Sequence, residues 1–259
     1  MFLFRDVIDQ LGSAEASLIS LSDPKTGVVP PANYNKVLMY LNTALSDLFT
    51  RFTLTKGECV IQTTEGKYSY ELVKANAISQ DSVNGFILDS VELPFDHEVL
   101  DITGVFTTQN RALPFNVIET YIPAGQVSSF SAEQCVRVFN SPKYKFLRTP
   151  VGLKDSQLIV RYKTGHKPFE MIAAEDLATF DPDSIVIDLP YVFLMPVIYF
   201  ICSRATNARG SQRAGNVFTN DSSNYFSKYL QECQTIESHM NLAEEITTPI
   251  DTFAMRGFV

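Results

Sequence analysis

Three histidines, four cysteines and a few clustered carboxylates are the residues of this chain best suited to chemistry, and their spacing argues against most of it. His97, His166 and His239 stand far apart, and no two share the i, i+4 spacing of a helix-borne metal pair. A zinc site needs about three or four convergent ligands, so each histidine reads as a surface residue. Cys59, Cys135, Cys202 and Cys233 form no C-x-x-C, are scattered along the chain and fit a reduced, intracellular assembly site. Cys202 lies inside an apolar run, where a thiol behaves as a small hydrophobe and ionises less readily. No G-x-S-x-G elbow, no S-x-x-K in a meaningful setting, and neither glycine-rich phosphate loop occurs. The sequence implies no cofactor, no metal and no catalytic residue.

Two charged groups remain open. Glu175, Asp176, Asp181, Asp183 and Asp188 could supply the paired carboxyls of glycoside hydrolysis, yet D-P-D-S just before an apolar run is ordinary turn and cap chemistry. They lack the regular spacing and late Glu of a calcium loop. Lys143, Lys145, Arg148, Lys154, Arg161, Lys163 and Lys167 are interleaved with Tyr144, Phe146 and Tyr162. That stretch reads either as a solvated sheet face or as a basic rim facing an acidic neighbour or passing DNA. The net charge of −8 speaks against general phosphate-driven binding.

The elements that must position these residues follow from periodicity. In a chain of 259 residues and 45% apolar composition, a sizeable core needs no disulfide staples. Met1–Phe4 is apolar, but Arg5 and Asp6 follow at once, so no signal or transit peptide is read. Phe4, Val7, Ile8 and Leu11 form one face of a short helix that Gly12 can stop. Residues 12–30 read as a long loop with a turn of helix near Glu15 to Ile19. Pro31 opens a second helix to about Phe52, striped by Tyr34, Val37, Leu38, Leu41, Leu45, Leu48 and Phe52, with Asn35 and Asn42 among its polar residues.

From Gly57 the period changes to two. Residues 59–63 and 67–72 flank Thr64-Glu65-Gly66 and read as a hairpin. Further strands are expected over 86–93, over 98–108 with Gly104 suggesting a bulge, and over 134–140, 144–149 and 157–165. Together these indicate an antiparallel sandwich or small barrel.

Ile185-Val186-Ile187 suggests an edge strand. Leu189 to Ala208 is a core helix, apolar almost all round and too short for a membrane span. Asp188 suits its N-cap, and Pro196 is expected to kink it. Residues 209–216 form a connector. A last helix, from about Val217 or Ser222 to Glu245, shows a seam of Ser222, Phe226, Tyr229, Cys233, Ile236 and Met240.

The layout is α+β: a helical bundle from both chain ends with an inserted β domain. The divisions are 1–55, 56–168, 169–246 and a tail over 247–259. Residues near 55 and 166 are expected to lie close in space. The tail holds Pro249, Ile250, Phe253, Met255, Arg256 and Phe258. Apolar termini without their own core dock on something, here either the same bundle or a partner subunit.

This ordered series resembles the head-to-tail adaptor (connector, or gatekeeper-like) proteins of short-tailed bacteriophages. The likeness spans most of the chain: FLFRDVIDQL; the helix YNKVLMYLNTALSDLF; the run CVIQTTEGKYSYEL; HEVLDITGVFTTQNRALPFN; SPKYKFLRTP; LIVRYKTGHKP; and IVIDLPYVFLMPVIYFICSRATN followed by a polar helix. The chain departs from the family pattern in its long 12–30 loop, its Pro-Pro-Ala-Asn-Tyr helix entry and its extended 74–92 segment.

The resemblance implies a structural virion protein at the head–tail junction, assembled in the host cytoplasm and forming a ring, usually dodecameric, without catalysis or membrane attachment. Its helices would sit beneath the portal protein, its β domain would face the tail nozzle or tail tube protein, and the tail after Pro249 would be the docking arm. Genomic DNA would pass an acidic channel without specific binding. Lys143, Lys145, Arg148, Arg161, Lys163 and Lys167 would line a channel rim or meet a neighbouring subunit. The competing readings are a carbohydrate-binding or carbohydrate-processing tail protein built on Glu175, Asp181 and Asp183, and a DNA-binding module built on the 143–167 stretch.

Overall fold

A computed structural model describes residues 1–13, 21–23, 25–78, 85–89, 94–95, 98–113, 136–140, 145–149, 156–207 and 221–247. The fold is mixed α+β, with helices from both chain ends packing together and β-sheets between them in the sequence. It divides into two compact units: Met1–Asp47 with the chain from Pro168 onward, and Leu48–Lys167. The division falls inside the second helix.

The first unit begins with β1 (Phe2–Leu3), α1 (Phe4–Gly12) and α2 (Tyr34–Arg51). The Asp6 carboxylate accepts from the Leu3 N–H at 2.7 Å and satisfies one free donor at the start of α1. Phe4, Val7, Ile8 and Leu11 are buried, as their spacing requires. A 3-10 turn, Pro31–Asn33, leads into α2, so Pro31 stands where its missing N–H costs nothing. The stripe Val37, Leu38, Leu41, Ala44 and Leu45 is buried. The edge strand expected at 185–187 is β10 (Val186–Ile187), which pairs antiparallel with β1.

The apolar run then forms a 3-10 turn, Tyr191–Phe193, and α3 (Leu194–Asn207). Pro190, not Asp188, occupies the cap position, and no side chain caps it. Pro196 is the third residue of α3, inside the turn whose N–H groups have no intrahelical partner, so it need not break a helical bond. Packing therefore holds this helix. Val197, Ile198, Phe200 and Ile201 are buried, each contributing about 1.5–3 kcal/mol.

α3 packs on α1 and on α4 (Asp221–Thr247). Phe200 meets Tyr229 edge-on at 5.3 Å, and the Tyr229 hydroxyl donates to the Asp47 carboxylate, tying α4 to α2. Burial, then that bond, raises the Tyr229 phenol pKa. Of the expected α4 seam, Tyr229, Cys233 and Ile236 are buried, whereas Met240 is exposed.

The chain returning to this unit at Pro168 is fastened by two asparagines on α2. The Asn42 amide donates to the Phe169 carbonyl at 2.9 Å and accepts from the Phe169 N–H at 2.9 Å. Asn35 does the same to Ile172, at 2.8 Å in each direction. A primary amide offers the donor and acceptor of a peptide group, so each asparagine acts as one residue of a strand. The spacing matches: seven helical residues rise about 10 Å, and three extended residues span about 10 Å. Residues 169–180 accordingly contain no helix.

The second unit is built on β9 (Gln157–Thr164), the inner strand between β2 (Lys56–Gln62) and β6 (Val99–Thr107). The five-stranded sheet has the order β4 (Ala77–Ile78), β5 (Ile87–Leu88), β2, β9, β6, and its β4–β5 pair is parallel. Leu158, Val160 and Tyr162 point inward and are buried. β2 and β9 pair over their full length, and the Thr164 N–H reaches the Thr55 carbonyl at 3.1 Å, so the two ends of this unit do lie together.

A three-stranded sheet has the order β3 (Ser69–Glu71), β8 (Lys145–Arg148), β7 (Arg137–Asn140). The expected hairpin is thus corrected. Gly66, at φ +81°, permits the tight turn, and the Tyr70 hydroxyl fixes it through the Thr64 N–H and the Lys67 carbonyl. The flanking runs, however, pair in different sheets, β2 with β9 and β5, and β3 with β8. No closed barrel forms among the described residues. Tyr70, Leu147 and Val138 from one sheet share a buried cluster with Ile61, Val105 and Val160 from the other.

Replacing Asn42 by Ala removes both bonds to Phe169 and is expected to cost about 1–3 kcal/mol. Asn42→Asp keeps only the acceptor and is expected to cost a comparable amount. Urea unfolding reads this as a lower midpoint at unchanged slope; an unaltered midpoint in both variants would count against the clamp.

Candidate functional site

The residues singled out by sequence that the structure describes are spread over several elements. Lys143 and Lys154 lie outside the described residues, as do Pro249, Ile250, Phe253, Met255, Arg256 and Phe258. Lys145 and Arg148 belong to β8 in the three-stranded sheet, while Arg161 and Lys163 belong to β9 in the five-stranded sheet. The four described strand cations are thus divided two and two between the sheets. Sequence spacing placed these residues near one another, but strand partners put them in separate sheets.

Each of the β9 cations has a local structural role. The Arg161 guanidinium donates to Glu58 at 3.0 Å and to Asn110 at 3.3 Å, and lies 4.3 Å over the Phe106 ring. The expected bulge is present: the β6–β9 register shifts between Ile102 and Gly104. A Cβ on Gly104 would sit 2.8 Å from the Phe106 ring, so glycine lets that ring lie beneath the guanidinium. The Asn140 side chain accepts from the Ile102 N–H at 3.0 Å and so meets the bulge from β7. Lys163 donates to the Thr50 carbonyl at 2.8 Å, and partial burial lowers its pKa. Lys167 is exposed just beyond β9.

On β8 the situation differs. Lys145 is half-buried, but Arg148 is exposed and stands directly opposite Arg137 of β7. Phe146 stands opposite Phe139, and the rings stack at 4.6 Å. Arg137 and Phe139 were not singled out by sequence reasoning; strand pairing, which periodicity does not report, brings them to Arg148 and Phe146.

The acidic candidates are also placed. Asp181 accepts from the Asp183 N–H at 3.0 Å, which is the cap chemistry expected of D-P-D-S. Arg5 reaches Asp183 at 2.6 Å and Asp181 at 3.3 Å, and this pairing raises the guanidinium pKa. Both carboxylates are thus engaged by one cation on an exposed surface. Glu170, Glu175 and Asp176 are exposed. Among the described residues no group of three His, Cys, Asp or Glu could hold a metal ion, and no helix is long and apolar enough to cross a membrane. Cys59, Cys202 and Cys233 are buried, and burial pushes the Cys59 thiol up to about 12.

One histidine departs from the surface reading. His166 is half-buried against Phe49, with ring centroids 5.6 Å apart, while His239 is exposed and His97 lies outside the described residues. Burial lowers the His166 pKa from its ordinary 6.5 to about 4. Sequence also missed an apolar edge: Tyr191, Val192 and Met195, at the start of the α3 segment, are exposed.

Compared with known proteins, the chain matches no protein-family model and no curated protein sequence.

His166 sets a pH dependence. The unfolded imidazole takes up its proton near pH 6.5 and the folded one near pH 4, so the unfolded state binds more protons between these values. Its contribution is complete above pH 6.5 and is lost as pH falls through that window. The loss is on the order of 1 kcal/mol, discounted for solvent reaching the ring. His166→Gln should lose correspondingly less stability than wild type when urea unfolding at pH 7 is compared with pH 4.5. Equal acid losses in the two proteins would contradict this role.

Proposed function

We propose that this chain is a structural virion protein. It forms a ring, usually dodecameric, joining the portal of a short-tailed phage head to the tail nozzle or tail tube and bordering the DNA channel. The observation that supports this best is the element order. Helices from both chain ends pack together, and a β unit whose own ends meet at Thr55 and Thr164 is inserted between them. That is the arrangement the resemblance to head-to-tail adaptors implies. In its finer form the reading makes the first unit a helical bundle and the second an antiparallel sandwich.

Three further features are consistent with a ring subunit without catalysis. The net charge of −8 suits a surface that DNA passes without sticking. The exposed Tyr191, Val192 and Met195 suit a chain whose apolar edge is covered on assembly. The Asp181–Asp183 pair is occupied by Arg5, which leaves less reason to read it as the acid and base of a glycosidase. In this reading the tail from Pro249 to Phe258 is the arm that docks on the portal.

Deleting residues 249–259 is expected to abolish co-sedimentation with purified portal rings while leaving the thermal unfolding midpoint within about 2 °C of wild type, the outcome the docking-arm reading requires. Portal binding retained at wild-type strength would remove the docking-arm assignment.

A further inference from the structure

The outward face of the three-stranded sheet combines two arginines with a phenylalanine pair, of which Phe139 is exposed and Phe146 half-buried. Register places Ser69, Arg148 and Arg137 in one outward row, and Glu71, Phe146 and Phe139 in another. The row between them, Tyr70, Leu147 and Val138, is buried. Like charges directly opposite on neighbouring strands destabilise a sheet, and among the described residues neither Arg137 nor Arg148 has an ion-pair partner. Glu71 is half-buried, opposite Phe146. Phe139 is 38% exposed beside its stacked neighbour. Among the described residues this face sets two arginines against one half-buried carboxylate, Glu71.

A matching stretch occurs on the same chain. Asn42 and Asn35 hold the backbone at Phe169 and Ile172, and between these anchors Glu170 and Met171 are exposed, Met171 by 52%. A turn follows, in which the Asp176 N–H reaches Ala173 and the Thr179 N–H reaches Asp176, each at 3.0 Å. It presents Glu175 and Asp176 to solvent. Among the described residues none of these three carboxylates has an ion-pair partner. The stretch is therefore pre-ordered, acidic and carries one thioether, a group that packs well on aromatic edges.

We propose that the β3–β8–β7 face docks the 168–180 stretch of a second copy of this chain, with the carboxylates on Arg137 and Arg148 and Met171 on the phenylalanine pair. Charge complementarity selects this occupant. A second copy carries the same net charge of −8, so the selection is local: the stretch sets carboxylates against the two arginines and Met171 against the phenylalanine pair, and a polyanionic nucleic acid, with far higher charge, is repelled more strongly at long range. The two patches differ, so the contact is heterologous and repeats from copy to copy until a ring closes. The inference deepens the ring reading and rests on its premise that copies assemble.

Sedimentation velocity of the full chain tests it. Wild type should self-associate at low salt and dissociate toward about 1 M salt, where charges are screened beyond roughly 3 Å. R137E/R148E and E170K/E175K/D176K should each associate at least ~100-fold more weakly. An equimolar mixture of the two should regain association, because each supplies the intact patch the other lacks; thermal melts confirm that both are folded. A wild type that stays monomeric at low salt and high protein concentration would overturn the contact, as would unimpaired association of either variant, or a folded mixture without rescue. Loss of single-stranded oligonucleotide binding in R137E/R148E with self-association intact would also overturn it. Closed rings formed by R137E/R148E would overturn the contact while leaving the adaptor reading standing. Open filaments of wild type that need both patches but bind no portal would support the contact and sink that reading.

Discussion

Two asparagines set seven residues apart on α2 hold the chain where it re-enters the helical unit, and the path of the segment that leads to α3 follows from that anchorage. Because two turns of helix match three extended residues in length, Asn35 and Asn42 can each pair with a peptide group of the same passing segment. The segment cannot then coil, since its N–H and C=O groups at 169 and 172 are already committed. It runs on to Asp181 and Asp183, where Arg5 of α1 takes hold, and to β10, which pairs with β1. By the time α3 begins, the chain has been tied to α2, α1 and β1 in turn. The apolar helix is thereby delivered to its place before its own packing with α4 is counted.

This explains why an inserted β unit is compatible with helices from both chain ends packing together. The insertion closes on itself through the full-length β2–β9 pairing and the Thr55–Thr164 bond. The asparagine clamp then re-engages the chain within five residues of that closure. Bonds at the boundary are local on both sides, so the helical unit is not asked to bring distant ends together by packing alone.

Much of this was legible in the sequence, and the illegible part has a common cause. The α2 stripe, the alternation of β9 and the apolar run before Ala208 all report burial, which periodicity encodes directly, and the bulge at Gly104 was marked by a glycine inside a strand. Partner choice is not encoded that way. The tight turn at Gly66 was correctly located, yet the strands on either side of it pair elsewhere. The same blindness left the separate strand partners of Arg148 and Arg161 unread and overlooked Arg137 and Phe139. Asn35 and Asn42 looked like ordinary solvated residues on the polar side of α2, because nothing in their own neighbourhood names a segment more than a hundred residues away as their partner. The start of α3 was also not legible: Asp188 was read as its cap, whereas α3 starts only at Leu194, which puts Pro196 in its first turn.

The central claim is that this chain is a ring subunit sitting on a portal. Negative-stain electron microscopy of the purified wild-type chain incubated with portal particles tests it most directly. The account predicts a closed ring of this chain, coaxial with the portal and adding one layer to its narrow end. Portal particles that gain no layer, beside a chain that remains monomeric at micromolar concentration, would contradict it.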